Sequence, residues 1–218
     1  MHALRFVLLA FGMCTAMLPT WAAISPNLII NPGNESPLVA GNIPGWQEVM
    51  GTTWTQRNAS PDPFEGSFYF FAGANAQATL RQSIDVSAFG SQIDAGLLNF
   101  DFSGRVRSYE QNPVDSAAIS LKFLNGASGV LQTFNSGAIR STNAWQLVST
   151  SVLAPVNTRL VEIDLIATRN AGSNNDGYFD DLRLSAVSAV PEPSNYFMFL
   201  AGLAATFGAA LRRMQPSR

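Results

Sequence analysis

Residues 96–107, GLLNFDFSGRVR, decide the fold class, because apolar and polar side chains alternate along them. Four apolar residues fall on one face of an extended chain: Leu98, Phe100, Phe102 and Val106. The other face is polar, and its residues are Asn99, Asp101, Ser103, Arg105 and Arg107. A period of two is typical of an antiparallel strand with one buried face and one solvated face. The stretch therefore predicts a half-buried β-strand.

The same alternation recurs on both sides of this stretch, in residues 78–86, 119–123 and 161–167. Turn sequences separate the alternating runs, and these are Asn125-Gly126, Ser128-Gly129, Asn135-Ser136-Gly137 and Asp176-Gly177. Sustained helical spacing is absent from residues 23–195. We therefore predict an all-β domain over residues 23–187, folded as a single antiparallel β-sandwich of jelly-roll type with about nine to eleven strands.

Composition excludes two classes of protein. The 218-residue chain is 47% hydrophobic, 11% aromatic and 13% charged, with a formal net charge of -2. Nucleic-acid binding relies on Lys and Arg that neutralise phosphates, and this chain has no basic excess. Its apolar content is high enough to bury a core, which excludes intrinsic disorder.

Residues 1–22 have the features of a secretory signal peptide. A short region with His2 and Arg5 precedes an apolar run that starts at Phe6, and small residues precede the expected cleavage by signal peptidase after Ala22. The alternative is an N-terminal membrane anchor, although the apolar run is shorter than the ~20 residues that a span needs.

The C-terminus combines three features: a Pro-Glu-Pro motif, an apolar run over 196–211 and a basic end over 212–218 that starts with Arg212 and Arg213. The motif reads Val190-Pro191-Glu192-Pro193-Ser194. The run is slightly short for a transmembrane helix, and the positive-inside bias keeps the arginine pair in the cytoplasm. In this order the features resemble the PEP-CTERM sorting tail of Gram-negative exopolysaccharide-producing bacteria, also called the ice-binding protein C-terminal domain, with residues 188–218 as the tail.

The resemblance implies processing by an exosortase-like membrane enzyme that cleaves close to Pro193. The precursor would be anchored in the inner membrane, and the product would reach the cell surface or the extracellular matrix. An ordinary single-pass anchor that follows a proline-containing linker is the alternative.

The exported part lacks the residues of many catalytic centres. Residues 23–190 hold nine basic and fourteen acidic residues, a formal charge of -5, and neither Cys nor His, since Cys14 and His2 precede them. Cysteine nucleophiles, Ser-His-Asp triads, histidine-ligated zinc and haem are thereby excluded. Without disulfides, stability rests on core burial and on any bound hard metal ion.

Both ends of the predicted sandwich resemble galactose-binding-like jelly rolls, the superfamily of carbohydrate-binding modules. The opening part is NLIINPGNE at 27–35 followed by IPGW at 43–46, and the closing part is GYFDDLRL at 177–184. Residues 78–84 and 145–149 resemble the middle strands of that superfamily. Pro32 and Asn34 depart from the opening pattern.

Glu35 and Asp180 are the candidate metal ligands. First and last strands of such sandwiches are usually neighbours, so the two carboxylates are expected to converge and share a Ca2+, which takes six to eight oxygens. Simple alternation places Asp180 inward with Tyr178 and Leu182, where an unpaired carboxylate is costly. The resemblance implies a structural ion. In the alternative, Asp180 accepts only main-chain hydrogen bonds.

Sugars bind proteins by stacking their apolar faces on Trp or Tyr rings. The polar neighbours of Trp54 and the polar loop around Tyr109 predict that both rings are exposed, and Arg105 on the polar face completes the candidate carbohydrate site. Trp46 and Trp145 are expected in the core, and residues 68–71 are expected to form a buried strand.

These observations predict a non-catalytic exported protein that associates with extracellular polysaccharide. A small glycoside hydrolase is one alternative, and it would need two carboxylates ~5 to 9 Å apart. Ice binding or adhesion is another, although a regular threonine ladder is missing from the sequence. A plain membrane-anchored protein is the third.

Overall fold

The computed structural model describes residues 23–188. The predicted signal peptide with its cleavage after Ala22, the sorting motif 190–194, the apolar run 196–211 and the Arg212-Arg213 pair lie outside the described residues. Within 23–188, no helix has the length and apolar character that crossing a membrane requires.

Ten β-strands and two short helical segments make up the described part of the chain. The strands are β1 (Gln47–Met50), β2 (Thr55–Arg57), β3 (Tyr69–Phe71), β4 (Gln77–Asp85), β5 (Leu98–Ser108), β6 (Ser116–Asn125), β7 (Val130–Asn135), β8 (Gln146–Leu153), β9 (Thr158–Thr168) and β10 (Gly177–Ser188). Between β4 and β5 lie a 3-10 helix, Ser87–Phe89, and α1, Gly90–Asp94.

The strands form two five-stranded antiparallel sheets. The first sheet has the order β1-β4-β9-β6-β7 and the second the order β2-β3-β10-β5-β8. The prediction of an all-β sandwich is confirmed.

The core lies between the two sheets and is built by the alternation seen in the sequence. In β5, Phe100 and Phe102 face inward and are buried, and Phe100 packs on Phe123 of β6 with ring centroids 6.0 Å apart. Gly104 also faces inward, and a Cβ there would lie 2.7 Å from a methyl carbon of Leu182. This close approach between β5 and β10 requires a glycine.

The chain preceding β1 runs beside β10 and sets the position of the 31–36 loop. Main-chain hydrogen bonds join Ser25 to Ala186 and Leu28 to Leu184. The Asn27 side chain donates to the carbonyl of Leu182 and accepts from the amide of Leu184. The loop that contains Glu35 therefore lies next to the middle of β10.

A β-bulge in β10 changes which face its side chains occupy. Asp180 pairs with Arg105 and Arg183 pairs with Ser103, so two residues of β10 oppose the single residue Gly104. Asp181 in the bulge has φ +45°. Asp180 consequently lies on the outer face with Arg105, while Leu182 faces the core. The prediction that Asp180 points inward with Leu182 is wrong, because it assumed unbroken alternation.

Candidate functional site

Residues 58–68, which we call the β2–β3 loop, lie over the outer face of the second sheet. The Tyr69 hydroxyl donates to the carbonyl of Ala59 at 3.0 Å. The indole of Trp145 donates to the carbonyl of Asp62 at 3.0 Å, and the amide of Phe64 donates to a carboxylate oxygen of Asp180 at 2.7 Å. One end of this loop borders a carboxylate-lined cavity and the other borders two small depressions.

The carboxylate-lined cavity has a volume of about 470 Å³, and both Glu35 and Asp180 line it. The structure therefore brings the two predicted metal ligands together. Gly33 lies between them, since a Cβ there would be 3.4 Å from Asp180 Oδ1 and 3.8 Å from Glu35 Oε1. Glu65 and Asp181 also line this cavity.

Asp180 is fully buried and accepts three main-chain hydrogen bonds. Oδ2 accepts from the amides of Phe64 and Glu65, and Oδ1 accepts from the amide of Asp181 at 2.8 Å. Burial nevertheless raises the pKa of Asp180 to about 6, because desolvation of the carboxylate outweighs the three amide donors.

The other carboxylates of the cavity are also close to one another. Glu35 Oε1 accepts from the amides of Ser67 and Phe68, each at 2.9 Å. A hydrogen bond to Asp181 and the negative charge of that residue raise the pKa of Glu65.

A cation in the cavity would relieve the repulsion between these carboxylates. No group of three or more His, Cys, Asp or Glu residues within 23–188 is arranged to hold a metal, so main-chain carbonyls and water would have to complete a calcium shell around Glu35 and Asp180.

Trp54 lies in the core, so its predicted exposure is wrong. Its side chain is 2% exposed and its ring packs against Phe179 with centroids 6.0 Å apart. Thr53 and Thr55 flank it, and the Thr53 hydroxyl donates to the carbonyl of Ala72. A single Trp between two polar residues follows the polar–apolar alternation of an extended chain, in which the Trp side chain points into the core and its neighbours point away from it. That signal was present in the sequence.

Trp145 is half-buried on the outer face, so its predicted place in the core is also wrong. Its ring meets Tyr69 edge-on with centroids 5.6 Å apart, beneath the β2–β3 loop. Trp46, by contrast, is 8% exposed and packs on Phe70 in the core, as expected. Residues 69–71 form β3, in which Tyr69 and Phe70 are fully buried.

Tyr109 is exposed, as its polar loop indicates. Its side chain is 48% exposed, and it borders two depressions of about 220 and 290 Å³ that also share Ser60. The smaller depression is further lined by Pro61, Arg107, Ser108, Glu110 and Thr142. The larger one is further lined by Arg57, Asn174 and Asp176. The ring thus lies between two hollows with polar linings.

Arg57 and Asp176 line the larger depression as an ion pair. Their side chains are 3.6 Å apart, and Asp176 also accepts from the Tyr178 hydroxyl at 2.7 Å. Asp115, fully buried, accepts from the amides of Ala171 and Asp176 and so holds the loop that precedes β10. Sequence reasoning missed Arg57, Ser60 and Asp176, because no local pattern relates these three separated positions.

Arg105 does not line either depression. Its guanidinium lies 4.2 Å from the centroid of the Phe64 ring, which fixes the side chain against the β2–β3 loop. Phe64 and Tyr109 are the exposed aromatic side chains within 23–188, and one face of Phe64 is therefore already occupied. Of the three sequence-predicted carbohydrate residues, Tyr109 alone presents a free surface next to a depression.

Comparison with known proteins identifies the fold. No protein-family model matches this sequence, and no curated protein sequence matches it. A family 16 carbohydrate-binding module is 16% identical, with a TM-score of 0.51, and the match covers 72% of this chain and 99% of the module. The enzymatically active domain of tailspike protein 4 from bacteriophage CBA120 is 18% identical, with a TM-score of 0.53.

Both matches concern the fold alone. The tailspike match covers 72% of this chain but only 21% of the tailspike domain, so this chain spans about a fifth of that protein. The match to the carbohydrate-binding module covers nearly the whole module. The described part of the chain therefore shares its jelly-roll fold with this module.

Proposed function

We propose that this chain is a non-catalytic polysaccharide-binding protein whose site is centred on Tyr109. The observation that carries the proposal is the exposed Tyr109 ring between two depressions lined by polar groups. Binding sites for sugars combine a stacking ring with a few polar side chains that fix orientation. The similarity in fold to a carbohydrate-binding module supports the proposal.

The polar groups around the ring suit recognition rather than catalysis. Two acids line the depressions, Glu110 in the smaller one and Asp176 in the larger one, and Asp176 is already engaged by the Tyr178 hydroxyl and Arg57. Glycoside hydrolysis needs one carboxylate free to donate a proton and a second free to attack or to activate water. Incubation of the protein with its polysaccharide, followed by a reducing-sugar assay, tests this point, and release of new reducing ends would contradict it.

We expect replacement of Tyr109 by Ala to weaken polysaccharide binding without destabilising the fold. An exposed side chain contributes little to stability, so the unfolding free energy should change by no more than about 0.5 kcal/mol. Loss of ring stacking should reduce affinity about tenfold. Affinity electrophoresis through gels that contain cellulose, xylan, galactan or polygalacturonate measures the effect, and thermal melts check the fold.

Tyr109→Phe is the matched control, because it keeps the ring and should retain most of the affinity. Val130→Ala removes an exposed apolar side chain from the edge strand β7 of the other sheet and should change nothing. If Tyr109→Ala binds as well as the unaltered protein, the site lies elsewhere on the molecule.

We also propose that the protein is exported and then sorted to the cell surface or extracellular matrix by signal peptidase and an exosortase-like enzyme. The support is the order of signals at the two ends of the sequence. The intact mass of the surface form should correspond to a start at Ala23 and an end near Pro193. A full-length tail in a strain with an active exosortase would instead favour a plain anchor.

A structural Ca2+ held by Glu35 and Asp180 is the remaining part of the proposal. The shared cavity and the closeness of the two carboxylates support it. The ion would supply positive charge between the 31–36 loop, the β2–β3 loop and β10. Its role would be to hold these segments together.

A further inference from the structure

We infer that the Tyr109 site selects acidic polysaccharides and that Arg107 receives the carboxylate of a uronic acid residue. The inference rests on the proposed function and names the ligand class for the same site. Arg107 lies on the outer face of β5 and lines the smaller depression together with Tyr109.

The guanidinium of Arg107 has unused hydrogen-bonding capacity. Its Nη2 donates to the carbonyl of Thr142 at 3.1 Å, which fixes the side chain against the depression. Its Nε is shielded from solvent and has no acceptor in the described part of the chain. A shielded Nε is out of reach of a ligand, but Nη1 makes no hydrogen bond within the described residues and is not shielded, so it can donate to a bound carboxylate.

Arg107 lacks a counter-charge, unlike three other arginines of the domain; Arg105, Arg140, Arg169 and Arg183 also lack one, but none of these four lines either depression. Arg81 pairs with Asp164 at 2.6 Å and Arg159 with Asp94 at 2.6 Å. Arg57, across Tyr109 in the larger depression, has Asp176 at 3.6 Å. Among residues 23–188 no carboxylate lies within 4.0 Å of the Arg107 guanidinium nitrogens.

A uronic acid residue matches this combination of groups. Its pyranose ring offers an apolar face for the Tyr109 ring, and its exocyclic carboxylate offers the two oxygens that a guanidinium binds most strongly. A neutral sugar would leave the charge of Arg107 uncompensated, and a free inorganic anion would leave the Tyr109 ring unused. The domain is acidic as a whole and Glu110 lines the same depression, so the attraction comes from the Arg107 guanidinium itself.

The experiment compares polymers that differ only in the charge of their carboxyl groups. Polygalacturonate and alginate are each tested beside their esterified, uncharged forms, in calcium-free buffer that keeps them soluble. The unaltered protein should bind at least one charged polymer about tenfold more tightly than its ester, as expected for a charge-assisted hydrogen bond. Arg107→Gln should abolish that preference.

Arg140→Gln is the matched control, since Arg140 is an exposed arginine that lines neither depression nor the carboxylate-lined cavity. It makes the same change in net charge and should alter affinity less than about twofold. If Arg107→Gln proves unstable in thermal melts, the comparison of charged and esterified polymers on the unaltered protein still decides the question.

The outcomes separate the two proposals. Equal affinity for charged and esterified polymers, or a preference that survives Arg107→Gln in a folded variant, overturns the uronate inference. If Tyr109→Ala still loses binding to a neutral polysaccharide, the proposed function stands and only the ligand class is wrong. Absence of binding to every polysaccharide tested overturns both.

Discussion

Replacing Trp54 by Ala is expected to destabilise the protein by ~3–5 kcal/mol, the usual cost of removing a buried aromatic side chain. The Trp54 side chain is 2% exposed and contacts Phe179 of β10 inside the sandwich. The substitution removes buried apolar area and leaves a cavity next to the strand that contains Asp180. Since domains of this size are stable by only ~5–15 kcal/mol, the variant should unfold at a clearly lower denaturant concentration.

Two further variants make the Trp54 result specific. The Trp54 indole nitrogen has no hydrogen-bond acceptor within the described residues, so Trp54→Phe loses ring volume but no polar contact and should cost much less than Trp54→Ala. Trp145→Ala removes a half-buried ring and should cost less than half as much. Chemical denaturation measures all three variants. Equal losses for Trp54→Ala and Trp145→Ala would contradict the deeper burial of Trp54.

The second large effect concerns Asp180 and pH. The pKa of this carboxyl is about 6 in the folded protein, against about 3.9 in an unfolded chain. Between these values the folded state retains a proton that the unfolded state has lost. The contribution of Asp180 to stability therefore falls as pH rises from about 4 to 6 and is constant above, a total loss of about 2–3 kcal/mol.

The Asp180→Asn variant isolates this contribution, because an amide cannot ionise. The side-chain amide of Asn cannot accept all the main-chain N–H donors that Asp180 accepts, so the variant loses a hydrogen bond at every pH. This loss is constant, and the informative quantity is therefore how the stability difference between the two proteins changes with pH. In EDTA, the stability of the variant relative to the unaltered protein should improve by about 2–3 kcal/mol between pH 4 and pH 7. Parallel pH profiles for the two proteins would show that Asp180 does not titrate as described.

The same two proteins can also be compared in the presence and absence of Ca2+. An ion bound only to the folded state at a hundredfold excess over its Kd adds about 2.7 kcal/mol. Millimolar Ca2+ should therefore raise the melting temperature of the unaltered protein at pH 7 and leave Asp180→Asn almost unchanged. Coincident melts of the unaltered protein in EDTA and in Ca2+ would remove the calcium proposal.

The period-two pattern was enough to predict the fold class and much of the core. Residues 98–106 alternate in the sequence as they do in β5, because a strand with one buried face places an apolar side chain at every second position. The exposure of Tyr109 also followed from its polar loop. These properties depend on near neighbours in the sequence.

The bulge in β10 and the position of Trp145 could be known only from the tertiary structure. A bulge is set by the pairing of β10 with β5, and one extra residue exchanges the faces of the side chains that precede it, as it did for Asp180. The burial of Trp145 depends on the β2–β3 loop that covers it, and the sequence does not state where a loop folds back.

The sequence by itself determined an all-β sandwich, the absence of Cys and His from residues 23–190, and two carboxylates on segments expected to be neighbours. Only the tertiary structure decided that Arg57, Ser60, Arg107 and Asp176 gather around Tyr109. These residues lie on separate strands and loops, and each position looks like an ordinary polar surface residue along the chain. Sheet topology brings Arg57 and Arg107 together, because pairing joins strands that are distant in sequence, and hydrogen bonds of the two loops place Ser60 and Asp176 beside them.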